Sequence, residues 1–290
     1  MLASGSTVSD VSNHRPVQIP YLTRHSTNGM VCSIDHVASG AGVAMLRAGG
    51  SAADAAVATS AVLAVSSQHM CGMGGDLWAL VHHTDGEAPA ALNSSGHAGS
   101  GADAERLRAE GFTEMPFRGD IRSIPVPGCV DGWTALLERY GRLPISEVLA
   151  PARDLAEDGF AIGPQCAAAV KMLRGVANTD DYFVGGEPRT GKIIRRQGVA
   201  RALQAVIDGG REAHYGGEFG AALIELGAGE YNSADLATNQ ADWVTPLEIE
   251  AWGHRVLTVP PASQGYISLA SAYIASGLAL PDDPDDPQWV

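Results

Sequence analysis

The segment from Ala52 to Val65 is almost wholly alanine, valine and leucine, broken only by Asp54, Thr59 and Ser60. A helix that is apolar nearly all round has no side to turn to water, so this one must lie at the centre of a core. Its alanines let a neighbouring helix or sheet come close. Ser51 is placed to cap its start, with Asp54 three residues on as the return partner of a capping box. The run is too short and too interrupted to span a bilayer. Upstream, Ser39–Ala48 has helical spacing and stops at Gly49-Gly50, so the two helices are expected to be neighbours.

Around this centre the pattern alternates between helix and strand. A short β-like run is expected at Gly29–Ile34, and strands at Leu77–His82 and Ala88–Leu92, joined by an Asp85-Gly86 hairpin turn. The glycines of Gly72-Met-Gly-Gly75 read as a tight turn needing positive φ. Beyond Asn93, residues 94–101 form a small-residue loop. Helices are expected at Ala102–Glu110, Val130–Tyr140, Ile145–Glu157, Gln165–Leu173, Gly198–Asp208, Phe219–Leu226 and Tyr266–Leu278, and further strands at Leu247–Glu250 and Arg255–Val259. Asp180–Lys192 is turn-rich, and no internal repeat is visible. The organisation expected is an arm at 1–28, one domain at 29–279, and an acidic proline-rich linker at 280–290 leading towards a further piece of polypeptide.

Composition removes several classes of function. The 290 residues carry a formal charge of −14, with no basic stripe, which argues against nucleic acid and against anionic membranes. The polar first residues lack the apolar region of a signal peptide. The four cysteines, Cys32, Cys71, Cys129 and Cys166, are widely spaced and form no C-x-x-C pair. They read as buried free thiols of a cytoplasmic protein. No H-E-x-x-H stands among the histidines, and His82 and His83 would point to opposite faces of a strand, so no metal is expected. Nor is a cofactor. There is no G-x-S-x-G elbow, and the glycines at 72–75 lack both the place and the lysine of a phosphate loop. Unaided, the residues give a soluble protein of mixed helix and strand, a small-residue loop at 93–101, and no nucleophile of their own.

Five stretches in order resemble the large subunit of the γ-glutamyltransferase family. They are Gly29–Gly42 with Leu46–Val57; His69–Gly75; Ile124–Trp133 with Tyr140-Gly141 and Leu155–Phe160; His214–Gly217; and Ala234–Leu236 with Val259–Gly265. The resemblance covers roughly residues 29–279. It implies an α+β fold, the four-layer αββα sandwich of N-terminal-nucleophile hydrolases, completed by a small subunit cut from the same precursor. The N-terminal threonine of that subunit would attack an amide carbonyl, with its own amine as base. A small-molecule substrate and a possible dimer of heterodimers follow, and no catalytic residue is expected within this chain.

One departure bears on substrate. Family members that take glutathione have an arginine after the second strand, which clamps the substrate carboxylate. Aligned here, Ser95 and His97 stand where arginines stand in different relatives. The candidate substrate-binding residues are therefore Asn93, Ser94, Ser95, Gly96 and His97, reading an acyl group other than γ-glutamyl. Relatives acting on cephalosporin side chains, on oxamate, or on carbon–carbon bonds in alkylproline antibiotic pathways keep several chemistries open. A noncatalytic scaffold is the alternative of another class.

Overall fold

The computed structural model describes residues 24–83, 87–116, 119–279, 281, 283 and 285–289. Residues 24–30 contain no helix or strand and belong to a unit separate from residues 31–290, where everything below lies.

At the centre stand two antiparallel helices, α1 (His36–Arg47) and α2 (Ala52–Ser66). Asp35 caps α1 by accepting from the Val37 amide at 2.8 Å, and its other carboxylate oxygen accepts from Ser66 Oγ at 2.7 Å, tying the start of α1 to the end of α2. The expected capping box is present: Ser51 Oγ accepts from the Ala53 and Asp54 amides, and Asp54 accepts from the Ser51 amide. Fully buried Asp54 also accepts from the backbone of Arg142 and Leu143, so one carboxylate organises the heads of two connections. Gly42 allows the two helices to touch. A Cβ there would lie 2.3 Å from Thr59 Oγ1 and 2.9 Å from the Ala55 carbonyl.

After α2 come β1 (Leu77–Val81), β2 (Ala90–Ser94), α3 (Ala104–Ala109), α4 (Cys129–Tyr140), α5 (Ile145–Asp158), β3 (Phe160–Ala161) and α6 (Pro164–Ala169). They are followed by β4 (Ile193–Ile194), α7 (Gln197–Tyr215), α8 (Glu218–Leu226), α9 (Ser233–Ala237), β5 (Asp242–Val244), β6 (Leu247–Ala251), β7 (His254–Thr258) and α10 (Gly265–Ser276). Helix α2 packs against α1, α4 and α5, and α5 continues the layer to α7. Trp133 on α4 is fully buried and donates its indole N–H to Ser60 Oγ at 3.0 Å. Each such side chain contributes on the order of 1.5–3 kcal/mol by burial.

Three antiparallel strands, in the order β1-β2-β5, lie over α4. Along β1 exposure alternates, so Trp78 and Leu80 point away from the helices while Leu77, Ala79 and Val81 face them. Cross-strand register puts Asn93 beside both Trp78 and Asp242 on the outward face. The β6–β7 hairpin forms a separate two-stranded sheet that packs against α10.

Several sequence expectations need correction. Residues 31–34 are in no strand; among the described residues no neighbour offers a ladder to them. Strand β2 begins and ends two residues later than expected, so Asn93 and Ser94 are strand residues and not loop. None of Gly72, Gly74 and Gly75 has positive φ; the turn is made with ordinary torsions. Cys129 and Cys166 are buried, but Cys32 and Cys71 are exposed. His82 and His83 lie past the end of β1, so they do not alternate on a strand. The Asp85-Gly86 turn and most of the N-terminal arm lie outside the described residues, as does part of the acidic tail.

Candidate functional site

The five candidate residues are divided by the end of β2 into buried and open groups. Ser94 is sealed from solvent; its hydroxyl donates to the Gly128 carbonyl at 2.7 Å and lies 3.3 Å from that of Gln240. No side of it is left for a ligand. Gly96 has φ +87°, and a Cβ there would sit 1.9 Å from the Val126 carbonyl. Its role is to let the loop lie flat on residues 126–128, a contact closed by the bond from the Val126 amide to the His97 carbonyl. The same segment is held from the other side, where the Gly128 and Cys129 amides both donate to the Gly75 carbonyl.

Asn93, Ser95 and His97 remain reachable. Asn93 Oδ1 accepts from the Trp78 indole at 3.1 Å and from the Ser95 amide at 3.2 Å. Its Nδ2 donates to the Pro261 carbonyl at 3.4 Å, which brings the β7–α10 loop, with its Val259–Gly265 motif, to the same place. His97 is exposed. Its backbone N–H and its Nδ1 both meet Gln240 Oε1 at 2.8 Å, and its Nε2 is 3.9 Å from Asp242 Oδ2.

Behind His97 runs a buried polar chain that the sequence did not announce. Gln240, 1% exposed, donates its backbone N–H to Asp131 Oδ2 at 2.8 Å. Asp131 receives a two-pronged bond from Arg211, at 2.9 and 3.2 Å. Arg211 also donates to the carbonyls of Leu236, Ala237 and Thr238, which fixes the turn that carries Gln240. A buried carboxylate paired bidentately and further hydrogen-bonded holds its geometry. Asp131 lies in the Ile124–Trp133 motif, so one signal existed; Gln240 had none, being 143 residues from His97.

Other groups are less suited to chemistry. Burial pushes the Cys129 and Cys166 thiols up, away from the thiolate. A cavity of about 430 Å³, lined among others by Gln68, Arg196, His214 and Phe219, includes none of residues 93–97. Among the described residues no three histidine, cysteine or acidic side chains are grouped to hold a metal ion, and no helix is long and apolar enough to cross a membrane.

Helices thus pack behind a small antiparallel sheet, and a glycine-bearing segment at the sheet's end faces a Pro-Pro turn, in a fold of mixed helix and strand. The chain belongs to the γ-glutamyltranspeptidase family, whose model matches residues 38–287. Among curated proteins it is 37% identical over 257 residues to the glutathione hydrolase-like YwrD proenzyme of Bacillus subtilis, covering 86% of this chain and 49% of that protein. To the oxamate amidohydrolase proenzyme of Klebsiella pneumoniae it is 34% identical over 280 residues, covering 91% of this chain and 52% of that protein. The chain thus spans about half the length of these relatives. Among solved structures, cephalosporin acylase from Bacillus halodurans superposes with a TM-score of 0.81 at 33% identity, over 94% of this chain and 54% of that one. γ-Glutamyltranspeptidase from Pseudomonas nitroreducens gives 0.76 at 27% identity, over 91% of this chain and 82% of that one. The four-layer αββα fold expected from the sequence is the fold of this family.

Proposed function

We propose that this chain is the large subunit of an N-terminal-nucleophile amide hydrolase or acyltransferase. The nucleophile is the N-terminal threonine of a small subunit cut from the same precursor. The substrate is a small acyl-amide other than glutathione, and the enzyme works in the cytoplasm, with a dimer of such two-chain units as its assembly. The proenzyme names of the relatives support processing into two chains. The chemistry is that of an amine-activated hydroxyl attacking a carbonyl, with leaving-group exchange against water or a second amine.

The observation that carries the substrate reading is the segment at 93–97, the end of β2 and the loop that follows it. It presents His97 and Ser95, and no guanidinium, at the end of the sheet. A charge-assisted hydrogen bond contributes about 1.5–3 kcal/mol, so a γ-glutamyl carboxylate is expected to lose roughly ten- to hundredfold in kcat/KM there. The oxamate and acylase relatives support a family whose acyl group varies.

The purified full-length gene product should resolve on a denaturing gel into two chains, the smaller beginning with Thr. It should turn over γ-glutamyl p-nitroanilide poorly. A single uncut chain without hydrolase activity would overturn the enzyme reading. Efficient γ-glutamyl turnover would overturn the altered specificity alone.

A further inference from the structure

We infer that Gln240 and Asp242 turn the end of β2 into a receptor for a hydrogen-bond donor, so that the group read beside His97 is an ammonium or other N–H donor and not a carboxylate. This rests on the acyl-transfer reading above, and it specifies the substrate class of that same site.

The orientation of the Gln240 amide is dictated by its surroundings. Nε2 donates to the Thr238 carbonyl at 2.7 Å and lies 3.2 Å from that of Asp235. Turning the amide over would set its oxygen against two carbonyls and its NH₂ against the His97 backbone N–H. Oε1 therefore faces His97, where it already accepts the backbone N–H. The second contact, at Nδ1, can be favourable only if Nδ1 carries the proton.

That fixes what the open side of the ring offers. In the neutral ring Nε2 is a lone pair, and 3.9 Å away is the carboxylate of Asp242. Both side chains are more than half exposed. Two acceptors at this separation suit a donor placed between them. If the ring takes a second proton, Nε2–H faces Asp242, and the carboxylate compensates the new charge. Neither state presents an unpaired positive charge to a carboxylate.

The surrounding groups keep the balance on the acceptor side. On β2, the Nδ2 of Asn93 is turned towards Pro261. On α4, Asp131 is matched by Arg211 of α7, whose remaining donors go to the carbonyls of residues 236–238 and to the Glu212 carboxylate. Asp235 of α9 is held by Ser100 and the Asn232 amide. Gln240 is thus a positioning residue, acting through His97, and Asp242 is a specificity residue.

The test uses the full-length protein with ¹⁵N-labelled histidine. Ring spectra should give His97 with a proton on Nδ1, and Gln240→Met should release it to the Nε2–H tautomer. Two ligands then divide the possibilities: 4-aminobutyramide carries an amine without a carboxylate, and glutaramate a carboxylate without an amine. 4-Aminobutyramide should perturb the His97 ring and bind about tenfold tighter than glutaramate, and Asp242→Asn should reduce that preference towards one. An Nε2–H ring in the unmodified protein overturns the inference, as does glutaramate binding equally or better. Failure of both ligands to perturb His97 also overturns it. That last result leaves acyl transfer standing, because acyl transfer is judged on the threonine-headed chain and its turnover.

Discussion

His214 illustrates how a residue can be conspicuous without being chemical. It is 1% exposed, stacks on Phe219 at 4.2 Å, and neither ring nitrogen has a hydrogen-bond partner among the described residues. Burial, and then the charge of Arg211, push it down to about 4 from an ordinary 6.5. Because the folded value is the lower one, the unfolded chain takes the proton first. The neutral ring's stabilisation is complete above pH 6.5 and is lost as pH falls from there towards 4. At pH 5 the loss should be about 2 kcal/mol. Urea unfolding at pH 7 and pH 5 measures it, and His214→Phe should lose correspondingly less between the two. An identical pH slope in the variant would mean that His214 is not the titrating group.

At the scale of elements, the α1–α2 crossing is the contact most dependent on the absence of side chains. Gly42→Ala must displace Thr59 or the Ala55 carbonyl and should cost about 1–3 kcal/mol. Gly40, on the same helix, is exposed, and among the described residues nothing lies within 4 Å of its absent Cβ, so Gly40→Ala should stabilise by about 0.5–1 kcal/mol. Thermal melts of the pair check both signs. This central pair was readable from sequence because apolar run, cap and glycine stop all agree within one segment. Strand β5 was not, since its three residues carry no period and pair with β2 far back in the chain, and α9, though it opens on a local Asn232–Asp235 capping box, is too short at five residues to show a period. Gly209 and Gly210 break α7 internally, yet the helix resumes at Arg211, so the spacing suggested an end where there is a joint. The candidate site was half legible. The loop at 93–97 stood out by motif, but strand register decides that Ser94 points inward, and only folding brings Gln240 to His97.

For the whole molecule, the telling feature is apolar surface left uncovered. Trp78 and Leu80 line the outward face of the sheet, and Tyr266, Ile267, Tyr273 and Ile274 stand exposed on α10. Large apolar side chains grouped on one face of a sheet or helix and left open in this way commonly mark a surface that a partner covers. On the two-chain proposal the second half of the protein covers it, so residues 1–290 expressed alone should bind anilinonaphthalene sulfonate strongly, and the processed full-length protein weakly. Equal fluorescence from the two would remove the covering role. The sheet face also bears on the fate of the protein after cutting. On the same proposal, two pieces joined through such a face would stay together when the peptide between them is cleaved, so that cutting would activate without dissociating. On that proposal a large chain without its partner would display apolar surface of the kind chaperones and proteases recognise in unfinished proteins, and would mark itself for removal.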